Sequence, residues 1–277
     1  MYLNYAGHCF ASAHHVVKKD EKKQIKFHAL FALLKHPEKG WILFDTGYTD
    51  RVYNSTKKYP NKIYANLTKV DITSENEVVN QIKSAGLKPS DIKHIIISHF
   101  HADHIGGLKD FKNASFYCTK KSYKQVKKIS NLFAFSKGIL KDLIPENIES
   151  KLKYIEDISV RKIDDIFGFS YDLFGDNSIL IYNLPGHAAG QIGILLKTSK
   201  RKYFLVADSC WDMRAFKEGE LPNSIVRLFF DSWSEYKDSL QKLSLFHKNS
   251  PEVLIVPTHC SKTTDQLVSD YIEMDAL

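Results

Sequence analysis

Ser98-His99-Phe100-His101-Ala102-Asp103-His104-Ile105-Gly106-Gly107 puts three imidazoles and a carboxylate into six positions, directly after the apolar run Ile95-Ile96-Ile97. The apolar run reads as a buried strand, and the polar cluster at its end has the residue types and offsets of a metal site. In an extended segment alternate side chains share a face, so His99 and His101 project to one point. Asp103 and His104 then face a second point on the turn that follows, and two neighbouring ions fit this spacing. Gly106 and Gly107 lack a Cβ and let that turn pass tightly into a helix beneath the site.

The 277 residues can bury a full core, and 43% hydrophobic with 26% charged residues is an ordinary soluble composition. A single domain over residues 1–277, with a helical insertion at about 119–152, is the simplest organisation. The start, Met1 to Gly7, has no basic segment leading into an apolar one. No apolar run approaches the length that crosses a bilayer, so a cytoplasmic location is expected. Cys9, Cys118, Cys210 and Cys260 lie far apart without a CxxC pair, which fits a reducing compartment and no disulfides. The net charge is +7, with many lysines between Lys109 and Lys162. Asp142, Glu146, Glu149 and Glu156 are interspersed there, which argues for solvated faces over a nucleic-acid surface.

Taken in order, residues 2–5, 9–17 and 25–34 read as strands, and Trp41-Ile42-Leu43-Phe44 is another that runs into Asp45-Thr46-Gly47. Asp45 is then either a carboxylate delivered to a site or the cap of a turn. Residues 48–73, with Tyr48, Tyr53, Tyr59 and Tyr64, suggest an irregular segment lining a pocket. Ser74-Glu75-Asn76-Glu77 has the pattern of a capping box opening a helix that ends at Gly86 and buries Val78, Val79 and Ile82. Ser115–Cys118 reads as a strand and Lys120–Lys128 as an amphipathic helix. From 129 to 152 the apolar spacing is closer to helical, interrupted by Pro145, and suits a substrate lid or a plain packing helix. Strands follow at 153–156, 169–173, 179–183, 191–197 and 202–207, then a helix from Asp231 to His247, a last strand Val253–Val256 and a helical tail from Thr263.

Three further polar residues stand just past apolar runs: His187 in Leu-Pro-Gly-His, Asp208 after Tyr203–Ala207, and His259 in Val-Pro-Thr-His-Cys. Each alone reads as a hydrogen-bonded structural residue; taken with the first motif they read as ligands. Cys210 and Cys260 flank two of them and read as packing residues, with metal-dependent redox sensitivity as the alternative.

The order HxHxDH, distal His, Asp, His resembles the metallo-β-lactamase superfamily, from Asp45 to His259. That resemblance implies an α/β fold, a four-layer αββα sandwich with metals at one edge. It further implies one zinc on His99, His101 and His187, a second on Asp103, His104 and His259, and Asp208 bridging them, with Mn, Fe or Co as other divalent candidates. Asp45 would steady a ligand through hydrogen bonds. His101 stands where diiron members carry Glu, and Asp208 is absent from true β-lactamases, so zinc hydrolysis other than antibiotic cleavage is implied.

Within the superfamily the chain is similar to the N-acyl homoserine lactonase-like group, which shares Ala6-Gly7-His8-Cys9 in its Ala-Gly-x-Cys opening and Asp45-Thr46-Gly47. Trp211 stands where those lactonases carry a Tyr that contacts the substrate carbonyl. Indole N–H donates a hydrogen bond but is no acid, so Trp211 is a pocket candidate of different chemistry. The implied reaction is attack of a metal-bound hydroxide on an ester-like bond of a small molecule, a lactone first, with Asp103 and Asp208 accepting the water proton. Alternatives are a glyoxalase II-type thioesterase and, below it, a phosphodiesterase or nuclease.

Overall fold

The computed structural model describes residues 1–159 and 161–268. The strands form two sheets. The first contains β1 (Tyr2–Ser12), β2 (Gln24–His36), β3 (Gly40–Phe44), β4 (Val70–Asp71), β5 (Ile92–Ile96), β6 (Ser115–Cys118) and β7 (Leu152–Tyr154), in the order β4-β1-β2-β3-β5-β6-β7. The second contains β8 (Arg161–Asp164), β9 (Gly168–Asp172), β10 (Ile179–Asn183), β11 (Ile192–Lys197), β12 (Lys202–Ala207) and β13 (Leu254–Pro257), in the order β13-β12-β11-β10-β9-β8.

The period-2 alternation of strand side chains sorts the core into layers. Along β2, Leu30, Ala32 and Leu34 face the second sheet, where Ile179, Ile181, Ile194 and Leu205 meet them. Phe31 and Leu33 of β2 point the other way, onto the helix Val78–Ser84 through Val78 and Ile82. Leu180 and Tyr182 of β10, with Phe204 and Val206 of β12, face the helix Trp233–Asn249 and its Tyr236, Leu240 and Leu243. Both sheets are therefore apolar on two faces, which is why so many of these strands are near-continuous hydrophobic runs. The result is helix, sheet, sheet, helix, the αββα sandwich. Among the described residues no helix is long and apolar enough to cross a membrane.

Several local expectations are corrected. The strand expected over 9–17 ends at Ser12, where pairing with Gln24 stops and Ala13–Val16 turns helical. The capping box at Ser74 does not form. The Glu77 carboxylate instead accepts from the Asp50 backbone N–H at 2.8 Å, and the Ser74 hydroxyl turns to Glu75, so the helix begins at Val78. Residues 48–73 are not irregular throughout: helices Arg51–Ser55 and Lys62–Leu67 bury Val52 and Tyr64. After the helix Lys120–Lys128, capped by the Thr119 side chain, residues 129–152 form short 3-10 turns rather than a continuous helix. Gly138, at φ +68, and Pro145 break the continuity. β4 and β8 are additional short strands, and the tail expected to be helical from Thr263 is helical only within Ser261–Thr264; its end lies outside the described residues.

Candidate metal centre

β3 and β5 of the first sheet run parallel, and β10, β12 and β13 of the second share one direction. Their C-terminal ends meet at one edge of the sandwich, and each delivers a candidate: Asp45 after β3, His99 and His101 after β5, His187 after β10, Asp208 after β12 and His259 after β13. Asp103 and His104 lie on the short helix Ala102–Ile105 that follows the β5 loop. Two of these strand ends carry positive φ at non-glycine residues, Asp45 at 59° and Ala207 at 48°. Such backbone is costly for an L-residue and persists only where surrounding contacts over-determine it.

All seven predicted ligands come together. His99, His101 and His187 form one group whose donor atoms lie within 4.8 Å of one another, and Asp103, His104 and His259 form a second. Asp208 joins both: Oδ2 is 3.3 Å from His187 Nε2 and 3.0 Å from His259 Nε2, and Oδ1 is 3.3 Å from His104 Nε2. His101 Nδ1 and His187 Nε2 face each other at 3.0 Å.

Neighbouring groups decide which nitrogen of each ring faces inward. The Asp45 carboxylate accepts from the Ser98 N–H at 2.8 Å, the Ser98 hydroxyl at 2.7 Å and His104 Nδ1–H at 2.8 Å. Because the Ser98 hydroxyl proton goes to Asp45, its oxygen accepts from His99 Nδ1–H at 3.0 Å. His259 Nδ1–H donates to the His28 carbonyl at 2.6 Å. His99, His104 and His259 therefore each turn Nε2 toward the cluster. His99 Nε2, His104 Nε2 and Asp208 Oδ1 are buried there with no hydrogen-bond partner among the described residues. Unsatisfied buried polar atoms are expensive, and a cation is what this cluster of ring nitrogens and carboxylates would accommodate. The donor set fits divalent metal.

The electrostatics of the protein groups alone separate the rings. Burial pushes the imidazoles of His101 and His187 down to about 4 and about 3, and His99 well below the usual histidine range, leaving them neutral. Burial also opposes protonation of His104, but the carboxylates of Asp103, Asp45 and Asp208 outweigh it and raise this ring well above the usual range. Burial raises the Asp103 and Asp208 carboxyls, but the histidines more than offset this, holding Asp103 at about 2 and Asp208 well below the ordinary value.

Trp211 lines the adjacent cavity, and its indole N–H donates to Asp208 Oδ2 at 3.0 Å. Asp45 is hydrogen-bonded to His104. Ser98, the His28 carbonyl and Phe27, whose ring stacks on His259 at 3.7 Å, are contributors the sequence reading missed. Only the position of Ser98 next to the first histidine hinted at any of them. Gly106 and Gly107 have ordinary negative φ. Their lack of side chain matters because a Cβ would stand 2.5 Å from the Gly47 carbonyl and 2.9 Å from that of Thr46. Cys210 and Cys260 are buried free thiols, and burial raises Cys210 well above the usual thiol range, which agrees with a packing role.

Residues 29–259 match the family described as the metallo-beta-lactamase superfamily. The chain belongs to this superfamily. It is a hydrolase of that group, similar to its lactonase branch. N-acyl homoserine lactonase AttM of Azorhizobium caulinodans is 26% identical over 214 residues, covering 77% of this chain and 74% of that one. AttM of Agrobacterium fabrum is 27% identical over 217 residues, covering 78% and 76%. Among solved structures, an N-acyl homoserine lactone hydrolase with N-hexanoyl-L-homoserine at its catalytic metal centre superposes with a TM-score of 0.72 at 21% identity, covering 96% of this chain and 94% of that one.

Two substitutions probe how this superfamily member builds its site. Asp45→Ala should weaken metal affinity by roughly 10–100-fold, since His104 and Ser98 lose their common acceptor; titration against a competing chelator measures it, and unchanged affinity would remove Asp45 from the site. Gly186, at φ +125, allows the His187 loop to lie against the helix Trp233–Asn249, where a Cβ would fall 2.1 Å from the Tyr236 backbone nitrogen. Gly186→Ala should cost about 2–5 kcal/mol from backbone strain and overpacking together, read as a lowered thermal midpoint.

Proposed function

We propose that this chain is a dinuclear zinc hydrolase that opens the ring ester of a small lactone carrying an apolar acyl tail, such as an N-acyl homoserine lactone. The observation that carries this reading is the convergence of His101, Asp103, His187, Asp208 and His259 on one wall of a cavity of about 440 Å³. Its other walls include Phe10, Phe27, Leu67, Phe135, Val226 and Phe229. An apolar tail fits such a lining, and a polar carbonyl is then directed to the cluster. The lactonase relatives support the choice of lactone.

His99, His101 and His187 would hold one ion, Asp103, His104 and His259 the other, with Asp208 shared between them. Imidazole and carboxylate donors suit zinc, and bound divalent ions supply Lewis acidity and water of lowered pKa, which ester hydrolysis at neutral pH requires. Asp45 and the His28 carbonyl keep His104 and His259 in the tautomer whose Nε2 faces the cluster. The carboxylates of Asp103 and Asp208 are the acceptors for the proton of the attacking water. Trp211 commits its N–H to Asp208 Oδ2. It orients that carboxylate and walls the cavity, without donating a proton to the leaving alkoxide.

The test is a panel offered to zinc-loaded protein: acyl homoserine lactones of several chain lengths, acyl-glutathione thioesters and phosphodiesters, with ring opening followed by acid release. Lactone turnover that improves with tail length is expected. Hydrolysis of thioesters alone would transfer the protein to the glyoxalase II type of chemistry.

A further inference from the structure

Three segments of unusual composition border the cavity. Residues 57–69, 127–141 and 221–230 contain lysines and an arginine but no aspartate or glutamate. They are neighbours around the cavity: Leu67 and Thr68, Phe135 to Gly138, and Val226 with Phe229 line it together, and Leu67 and Phe229 reach its solvent side, 66% and 49% exposed. Lys137 Nζ also donates to the Phe230 carbonyl at 3.0 Å, tying the second segment to the third.

Each segment turns large apolar side chains to solvent. Tyr59 and Leu67 are 71% and 66% exposed, Leu132 and Phe133 are 60% and 61%, and Ile225 and Leu228 are 53% and 76%. Isolated exposed apolar residues are ordinary, but a concentration of them around one opening marks an interaction surface. Lys58, Lys62, Lys69, Lys128 and Arg227 are exposed on the same segments and make no ion pair among the described residues. The carboxylates that adjoin the segments in sequence have partners of their own, Glu220 with Lys19, Asp142 accepting from Ser55 and Asp231 from Gln125, while Lys127 of the second segment pairs with Glu149.

We infer that this mouth docks on an anionic lipid surface, so that tailed substrates pass from the membrane interface into the cavity. Large apolar side chains that enter the acyl boundary, ringed by cations that face lipid headgroups, are the two contributions that together hold a protein on an anionic membrane. A second copy of the chain would meet the same cations, and five positive groups without a carboxylate partner among the described residues, two of them over aromatic rings, repel when brought against their equivalents. A neutral peptide groove would have no use for them. The identity of the molecule drawn in rests on the hydrolase reading above, but the docking itself does not.

The experiment is flotation of the full, metal-loaded chain with phosphatidylcholine vesicles, with and without phosphatidylglycerol. Binding to the anionic vesicles only, weakening as salt rises, is expected. Lys58→Glu and Lys128→Glu should each lower the partition coefficient by roughly fivefold or more, and Leu228→Asp by roughly tenfold. None of the three lines the cavity, so turnover of a short-chain soluble lactone, metal content and thermal midpoint should stay unchanged. Equal binding to both vesicle types, or no binding at low salt, would overturn the proposal. So would a Leu228→Asp variant that binds as well as the parent, because plain polyanion attraction would then suffice. A concentration-dependent dimer dispersed by Leu228→Asp, without vesicle binding, would assign the face to a second copy. Vesicle binding in a protein inert toward every lactone would leave the docking intact and remove the hydrolase reading, so the two failures are told apart.

Discussion

Asp208→Asn should reduce turnover by at least about 10³-fold while leaving the fold and its thermal midpoint near those of the parent, since losing several kcal/mol of charge stabilisation costs about a decade per 1.36 kcal/mol. The carboxylate stands between the two donor groups, within 3.3 Å of nitrogens from His104, His187 and His259. Asparagine has nearly the same shape and can still accept from Trp211, so packing is kept. What it loses is the negative charge and one acceptor oxygen, and with its oxygen on Trp211 its NH₂ would take the place of Oδ1 beside His104 Nε2, a donor where a shared carboxylate oxygen stood. Metal content by elemental analysis and steady-state turnover on the best substrate of the panel give the two readouts. Near-normal turnover would show that Asp208 is not shared between the ions.

Chelation should abolish activity and lower the thermal midpoint on the order of 10 °C, with zinc restoring both. An ion present at about 1,000 times its Kd stabilises the folded state by about 4 kcal/mol, and a chain of about this size shifts roughly 2–4 °C per kcal/mol. Stripped of metal, the site keeps Asp103 and Asp208 as buried carboxylates beside His99 and His104, whose Nε2 atoms have no hydrogen-bond partner among the described residues. The stripped protein should also become acid-sensitive. Burial holds His101 and His187 down to about 4 and about 3 in the folded chain, whereas unfolded histidines protonate at about 6.5. The unfolded state binds more protons in that window, so stability rises with pH and falls as pH is lowered from about 6.5 toward 4. His104, raised in the fold, is protonated in both states there and adds no slope; Asp45, raised by burial, opposes the trend only above the ordinary carboxylate value. A midpoint that is flat across the window would show that these rings are not buried neutral in the stripped form.

The legibility of the chain followed the strength of its periodic patterns. β10 and β12 lie where their apolar runs put them, at Ile179–Asn183 and Lys202–Ala207, and the helix Lys120–Lys128 matches its expected span. Fully buried strands admit little besides Ile, Val, Leu and aromatics, so their bounds are sharp. The capping box failed because the Asp50 N–H, remote in sequence, claimed the Glu77 carboxylate. The stretch 129–152 failed because an apolar count suggests burial without saying whether consecutive turns share an axis.

Sequence alone determined the types of the seven side chains that converge, their order, and the positions of most of them just past apolar strands, which a sandwich brings to one edge. Tertiary structure decided what spacing cannot encode. It chose the nitrogen that His99, His104 and His259 turn inward, through Ser98, Asp45 and the His28 carbonyl. It directed the Trp211 N–H to Asp208, and it gathered three distant acid-free segments around one opening. Those outcomes depend on contacts between residues far apart in the chain, and local pattern carries no term for which of several donors or acceptors will arrive.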